Sequence, residues 1–384
     1  MSDVAKPAER AALGRFIMPG LVALAIVLWL LGALWPGLNE YPAKLVIPFK
    51  DLVTEVMIWA KVNLSWATRA VAAVIKVPLD FAFALLSKGF KFGHGDTAVL
   101  LPRLSWLGVT LVMAGLGYVY GGVRLALLCG LGFLALALFN LWDNAMLTLA
   151  LIAICVPFCV VTGLLIGILG YARPRLNQRL ILPALDLMQT MPTFAYLIPM
   201  LLLFGASPVS ALLATALFST PPMVRATVLG LGKVPQEIKD FADMAGCTRR
   251  QKLWRVLIPS AKPSLMIGVN QVIMLALNMV IISSMIGAGG LGYDVLLALR
   301  ALKVGQAMEA GLAIVILAIV LDRLSQAIAC KRPEAVSGTG AGWLAQNANL
   351  AIAIAVLAAT TLLSIAIPAL AKIPASLTVT TAPM

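Results

Sequence analysis

Long apolar stretches alternate with short polar ones along this chain, and their lengths are those of membrane spans. A helix rises 1.5 Å per residue, so about 20 apolar residues cross the roughly 30 Å hydrocarbon core of a bilayer. The first such run, about 16–35, follows Lys6, Arg10 and Arg15 and ends at Trp35-Pro36-Gly37. It is longer than a signal-peptide core and lacks a small-residue cleavage site, so it reads as a retained anchor. Further spans are expected at about 99–120, 123–141, 145–171, 180–204, 209–229, 265–286, 307–329 and 350–371. The pattern predicts an all-α, polytopic helical membrane protein with about nine transmembrane helices. Pro183, Pro192 and Pro199 should break the 180–204 span, and Pro221-Pro222 should bend the next.

Basic residues orient these spans. Lys6, Arg10 and Arg15 place the N-terminus in the cytoplasm by the positive-inside rule. Arg124, the cluster Arg173, Arg175 and Arg179, and Lys331-Arg332 then mark inner connections, and the last span sends the C-terminus outside. The stretch 37–97 lies outside on this count. Its Val53, Val56, Met57 and Ala60 recur at helical spacing between Asp51, Glu55, Lys61 and Arg69, with Trp59 and Trp66 as headgroup-level anchors. That is the pattern of an amphipathic helix at the outer interface.

One inner connection is unlike the others. "DFADMAGCTRRQKLWRVLIPSAKPS", from Asp240 to Ser264, carries two acids and five bases between apolar runs. Ile238, Phe241, Ala242 and Ala245 form one apolar face, and Gly246 is a C-cap signal. A second short helix, Gln251 to Leu257, is expected to stop at Pro259. A helix–Gly–helix with an apolar face suits docking into a partner's groove, and it also suits lying on the membrane surface.

Composition agrees with the spans. Of 384 residues 61% are hydrophobic and 12% charged, with mean hydropathy +0.98; soluble domains average about 45–50% and about 25%. The net charge of +13 sits mostly in the short connections, where it meets anionic headgroups rather than nucleic acid. Cys129, Cys155, Cys159, Cys247 and Cys330 form no CxxC or Cys/His cluster, and His94 is the single histidine. A disulfide framework, a metal site and a catalytic triad are therefore not expected. "GLGKVP" at 230–235 has the wrong spacing for a phosphate-cradling loop, so no ATP site is expected on this chain.

The stretch "DFADMAGCTRRQKLWRVLIP" resembles the EAA loop of ABC-importer permeases. Asp240 falls at the Glu position, Ala242 at the second Ala, Gly246 at the Gly and Ile258-Pro259 at the closing pair, while Phe241 replaces the first Ala. "LPALDLMQTMPTFAYLIPMLLLFG" (182–205), "PPMVRATVLGLGKVP" (221–235), "GVNQVIMLALNMVIISSMIGAGGLG" (268–292) and "GLAIVILAIVLDRLSQA" (311–327) resemble permease subunits of glycine betaine/proline betaine importers. The likeness covers about 52–329. It implies an ABC importer type I permease core at 98–332, with a cytoplasmic coupling loop at about 233–262 formed by Asp240, Phe241, Ala242, Ala245, Gly246, Ile258 and Pro259. The external segment 37–97 shares in the likeness through its amphipathic part at about 51–80, while 1–36 and 333–384 fall outside it.

What the resemblance implies is a transport subunit of a bacterial inner membrane, not an enzyme, carrying betaine- or choline-like solutes. ATP and Mg would bind a partner ATPase, with no cofactor on this chain. The further partners would be a substrate-binding protein, a second permease copy and membrane lipids. Another amino-acid-like substrate stays open. A secondary carrier would show an inverted repeat with paired broken helices, and no second copy of the 182–292 pattern is visible. For the pathway or gate, the candidates are Met188, Gln189, Thr190, Pro192 and Phe194, with Asn270, Gln271, Asn278, Ser283 and Ser284. Polar groups at membrane depth either line a cavity or hold helices together. Asn270 and Asn278 lie about 80° apart on a helix and can share a broad face. Asp186 near the inner surface should pair with an Arg.

Overall fold

A computed structural model describes residues 6–34, 48–92, 99–101 and 103–330, with 356, 357, 359 and 360. The chain divides into two compact units, Met1–Trp59 and Ala60–Met384. The first holds α1 (Lys6–Leu34), whose side chains from Met18 to Leu31 are exposed, Trp29 among them. The α2 helix (Phe49–Asn63) begins in the first unit and ends in the second, burying no residue.

Among its described residues the second unit is helical but for connecting loops and one short hairpin, β1 (Phe90–Phe92) against β2 (Val99–Leu101), antiparallel with Lys91 opposite Leu100. Before it runs α3 (Ser65–Phe83), prolonged by a π turn at Ala84–Lys88. Within the segment expected to lie at the outer surface, Ser65–Lys88 is thus one 24-residue helix, long and apolar enough to cross a membrane. Ile75, Leu79, Ala82 and Phe83, spaced i, i+4, i+7 and i+8, are buried in one cluster with residues of α5 (Trp142–Ala172).

After the hairpin comes α4 (Trp106–Leu138). Gly122 has φ 71° and ψ −165°, which no helix allows. A Cβ on Gly117 would lie 2.8 Å from the Leu125 carbonyl oxygen, and one on Gly130 would lie 3.4 Å from Ala114 Cβ. Eight residues of straight helix would separate the first pair by about 12 Å, so α4 is a hairpin with legs 106–121 and 123–138. The expected turn at "GGVR" is there. The first leg starts later than expected because Val99–Leu101 is strand, and Thr360 of the last expected span packs on it at Gly108. Apart from 356, 357, 359 and 360, that span lies outside the described residues, as do His94 and 331–349.

Beyond α5, α6 (Pro174–Leu176) and a π turn at Asn177–Ile181 lead into α7 (Leu182–Thr190) and α8 (Thr193–Phe204), which meet at 102°. Then α9 (Pro208–Ser219) and α10 (Pro221–Gly232) form one 25-residue span. Thr220 between them interrupts the helix but keeps helical angles, φ −70° and ψ −37°, so the bend expected at Pro221-Pro222 is too small to break the span. Two prolines in the first turn of α10 occupy positions where a missing N–H costs little.

Past α11 (Gln236–Met244) and α12 (Arg249–Gln251), a π turn at Lys252–Leu257 continues into α13 (Ile258–Ser283). The expected stop at Pro259 does not occur. Ile258 N–H donates to the Leu253 carbonyl, five residues back, and this widened turn takes the following proline without a break. A π turn at Ser284–Ala288 and glycines at positive φ then lead to α14 (Leu291–Arg300) and α15 (Val304–Cys330). The expected outer turn "GAGGLGYD" is thus a turn over Gly287–Gly290, and its second half, from Leu291, opens a ten-residue helix. Its glycines admit close approach: a Cβ on Gly292 would lie 2.2 Å from the Ile281 carbonyl oxygen.

Among the described residues six helices are long and apolar enough to cross a membrane, and the α7–α8 pair makes a seventh. With the α4 hairpin counted as one, the described residues do not reach the expected nine. At the centre of the unit α10 lies between α5 and α13. Cβ atoms added at Gly163 and Gly167 of α5 would lie 2.7 Å from Met223 and 2.4 Å from Thr227, and one on Gly268 of α13 would lie 2.6 Å from Ala226 Cβ. In lipid the tails are as apolar as the side chains, so close packing of small residues carries helix association.

Candidate docking segment and inner cleft

The polar connection expected to dock is well formed. Gln236 opens α11 after Pro235, and Gly246 ends it at φ 70°. Cys247 N–H donates to the Ala242 carbonyl (3.1 Å) and Gly246 N–H to that of Asp243 (3.0 Å), the paired bonds of a Schellman cap. Thr248 then starts α12 with a reciprocal capping box to Gln251. The ion pair Lys252–Asp243 (2.6 Å) ties α11 to the π turn, and Gln236 donates to Asp240 (2.7 Å) on the exposed side.

The expected apolar face of α11 divides in two. Ala242 is buried at 1% exposure, like Val234 and Leu257. Phe241 and Met244 point away at 68% and 81% exposure, with Ile238 and Ala245 also exposed. One side of the helix holds it to the bundle, and the other presents a Phe–Met knob to solvent. Burying two such side chains is worth about 1.5–3 kcal/mol each. Met244 was not among the expected residues, although its place three positions after Phe241 was a usable signal. Ile258 is half-buried on the core, and Pro259 is exposed.

Between α7, α10 and α13 an open cleft of about 380 Å³ is lined by Gln189, Arg225, Lys233, Ser264, Ile267 and Gln271, among others. Gln189 and Gln271 are thus brought together. Asp186 pairs with Arg225 across α7 and α10, the ion pair expected for it. Along α13, Ile267, Gln271, Met274 and Asn278 are all exposed and spaced i, i+4, i+7 and i+11, so they make one stripe.

The remaining candidates lie elsewhere. Asn270 accepts a hydrogen bond from Ser325 of α15 (2.9 Å) and donates to Met274 of the stripe (4.0 Å). Ser283 is fully buried against Thr215 (3.2 Å), and Ser284 donates to the Ile281 carbonyl (2.7 Å). At the break, Met191 is extended (φ −68°, ψ 137°) and Pro192 precedes α8. Thr190 bonds back to Leu187, Phe194 is exposed, and the Tyr196 hydroxyl donates to the Met188 carbonyl, linking α8 to α7. Periodicity places side chains by angle alone, and it does not say which side a neighbour covers. Among the described residues no group of three or more His, Cys, Asp or Glu is placed to hold a metal.

At the end of the unit where α5 begins, a cavity of about 540 Å³ lies between α5, α14 and α15. Asp294 there accepts from Asn144 (2.5 Å). Burial raises its carboxyl above the usual carboxylate range, against the lowering effect of that hydrogen bond.

Comparison with known proteins places this architecture. The family model "Binding-protein-dependent transport system inner membrane component" matches residues 160–329. The trimethylamine N-oxide transport system permease protein TmoV of Ruegeria pomeroyi is 34% identical over 358 residues, 93% of this chain and 53% of that protein. The chain thus spans about half the length of that relative. The glycine betaine/proline betaine transport system permease protein ProW of Escherichia coli is 38% identical over 74% of this chain and 76% of its own length. The glycine betaine transport system permease protein OpuAB of Bacillus subtilis is 41% identical over 58% of this chain and 79% of its own.

Proposed function

The chain belongs to the family of inner membrane components of binding-protein-dependent transport systems, and on that premise we propose that it forms the membrane path of an ATP-driven importer. Its substrate is a small methylated amine with a negative oxygen, such as a betaine or an amine oxide, the kind of solute named for its relatives. Hydrolysis takes place on a separate ATPase that binds ATP and Mg. A substrate-binding protein delivers from outside, and two copies of this chain enclose the pathway in the membrane lipids.

One observation carries the coupling role: α11 is clamped on its Ala242 side and bare on its Phe241–Met244 side. A cytoplasmic helix held this way passes a push into α13, because the Lys252–Asp243 pair and Leu257 join it to the same continuous helix. The stripe Ile267–Gln271–Met274–Asn278 on α13 then faces the path. Within the inner cleft the donors of Gln189, Gln271 and Lys233 meet the oxygen end of the solute. Phe194 and Met188, beside the break at Pro192, offer soft faces to the methylated nitrogen.

The test uses the chain purified with its ATPase and binding protein. Gly246→Asp strains the positive-φ cap and puts a negative charge at the helix C-terminus, which disfavours it. Binding-protein-stimulated ATP hydrolysis should fall at least tenfold while membrane insertion is kept. Full stimulation in the inserted variant would refute the docking role of α11.

A further inference from the structure

We propose that the cleft at the inner end of α5 binds the phosphate headgroup of an anionic phospholipid of the cytoplasmic leaflet. The cleft measures about 450 Å³, within the range of small-molecule sites. Its polar wall is Arg249, Arg250 and Lys252, and its apolar wall includes Ile168, Leu253 and Leu257. Lys252 is held by Asp243. Arg249 and Arg250 are exposed and make no ion pair among the described residues. Two free guanidinium forks over an apolar floor match a phosphodiester attached to hydrocarbon.

A lipid, rather than free phosphate, is indicated by what continues from the cleft. Val161 and Leu165 of α5 are each 55% exposed. With Ile168 and Ala172 they stand at i, i+4, i+7 and i+11, a stripe running from the membrane interior into the cleft. A phosphate between the two arginines would leave its acyl chain lying along that stripe. The following residues, Arg173 and Arg175, frame a second open concavity and add positive charge at the same level. Juxtamembrane basic clusters attract anionic leaflets with about a fivefold gain per cation. Here the cations converge on one cavity, so the attraction becomes a site.

The site touches the docking segment through Lys252, which belongs both to the cleft and to the ion pair with Asp243 of α11. That consequence rests on the docking role of α11; lipid binding does not, so it is measured on this chain alone. The full chain is purified in detergent with equal amounts of phosphatidylglycerol and phosphatidylcholine, and retained lipid is counted by native mass spectrometry. Wild type should hold phosphatidylglycerol in preference to phosphatidylcholine. Arg249→Gln with Arg250→Gln should lower that retention about 25-fold, from two lost cations. Arg249→Lys with Arg250→Lys should keep most of it, and Arg300→Gln with Lys303→Gln, the same charge loss at the other end, should keep all of it. Equal retention of both lipids, or no loss in the double Gln variant, would overturn the proposal. So would displacement of the lipid by inorganic phosphate, which would make the cleft a site for soluble anions. A double Gln variant that keeps its lipid but no longer binds the ATPase would instead assign the arginines to docking.

Discussion

Two helices enter the bundle at the same end through the same device and then behave differently. A π turn at Asn177–Ile181 precedes Leu182-Pro183, and another at Lys252–Leu257 precedes Ile258-Pro259. In each, an N–H reaches five residues back, Leu182 to Asn177 and Ile258 to Leu253. From there α7 runs nine residues and breaks at Met191-Pro192 through 102°, whereas α13 carries Pro263 inside it and runs 26 residues unbroken. Proline is present in both, so proline alone does not set the outcome. The difference is packing. Only Leu185 of α7 is buried. Ala261, Leu265, Gly268 and Val272 of α13 are buried, with Gly230 facing Ser264 and Gly268 facing Ala226 across α10. An interior proline costs a helix about 3 kcal/mol; close contact with α10 outweighs it in α13, and nothing comparable does so in α7.

If packing holds α13 straight, the largest effect comes from spoiling that contact. Gly268→Ala would put a Cβ 2.6 Å from Ala226 Cβ, an atom that moves only with its backbone. Overpacking of this kind costs about 1–3 kcal/mol, so the thermal midpoint of the purified chain should drop by several degrees. An unchanged midpoint would remove packing from the explanation. A smaller change sharpens the same point from the proline side. Pro263→Ala returns a backbone donor to a helix that is already straight, and stability should hold or rise by up to about 1 kcal/mol. A clear loss would mean that α13 depends on its proline.

The smallest expected effect lies at the far end, where α14 contacts α5. Asp294 has its carboxyl raised by burial, so the folded chain holds that proton more tightly than the unfolded one. Its contribution is full below the ordinary carboxylate range and is lost as pH rises through the raised folded value. Asp294→Asn, which can still accept from Asn144, should flatten the fall in thermal midpoint over that window. An identical pH profile in the variant would contradict the buried carboxyl.

These contrasts also mark how far the chain could be read without coordinates. Helical periodicity and Gly246 were enough for α11 and its cap, since a C-cap glycine is a local requirement. The break at Pro192 was legible for the same reason. The continuation past Pro259 was not, because it depends on a π turn and on neighbours far along the chain. Nor was α14, whose glycines read as a turn but serve close approach to Thr148, Ile281 and Ser284. Among the pathway candidates, spacing put Asn270 and Asn278 on one broad face, but Ser325 of α15 takes up the Asn270 carbonyl, a contact no single helix predicts. Gln189 and Gln271 share the inner cleft for a tertiary reason that no single helix carries.

The most direct test of the account is whether the bare side of α11 is covered by an ATPase. In a background with Cys247→Ser and Cys330→Ser, which removes the partly exposed thiol of Cys247 and the thiol of Cys330, Met244→Cys is labelled with a maleimide in membranes, with and without the ATPase subunit. The account predicts rapid labelling without the subunit and at least tenfold protection with it, while Ala242→Cys on the buried side stays slow in both. Equal labelling of Met244→Cys with the ATPase bound would show that α11 is not the docking surface.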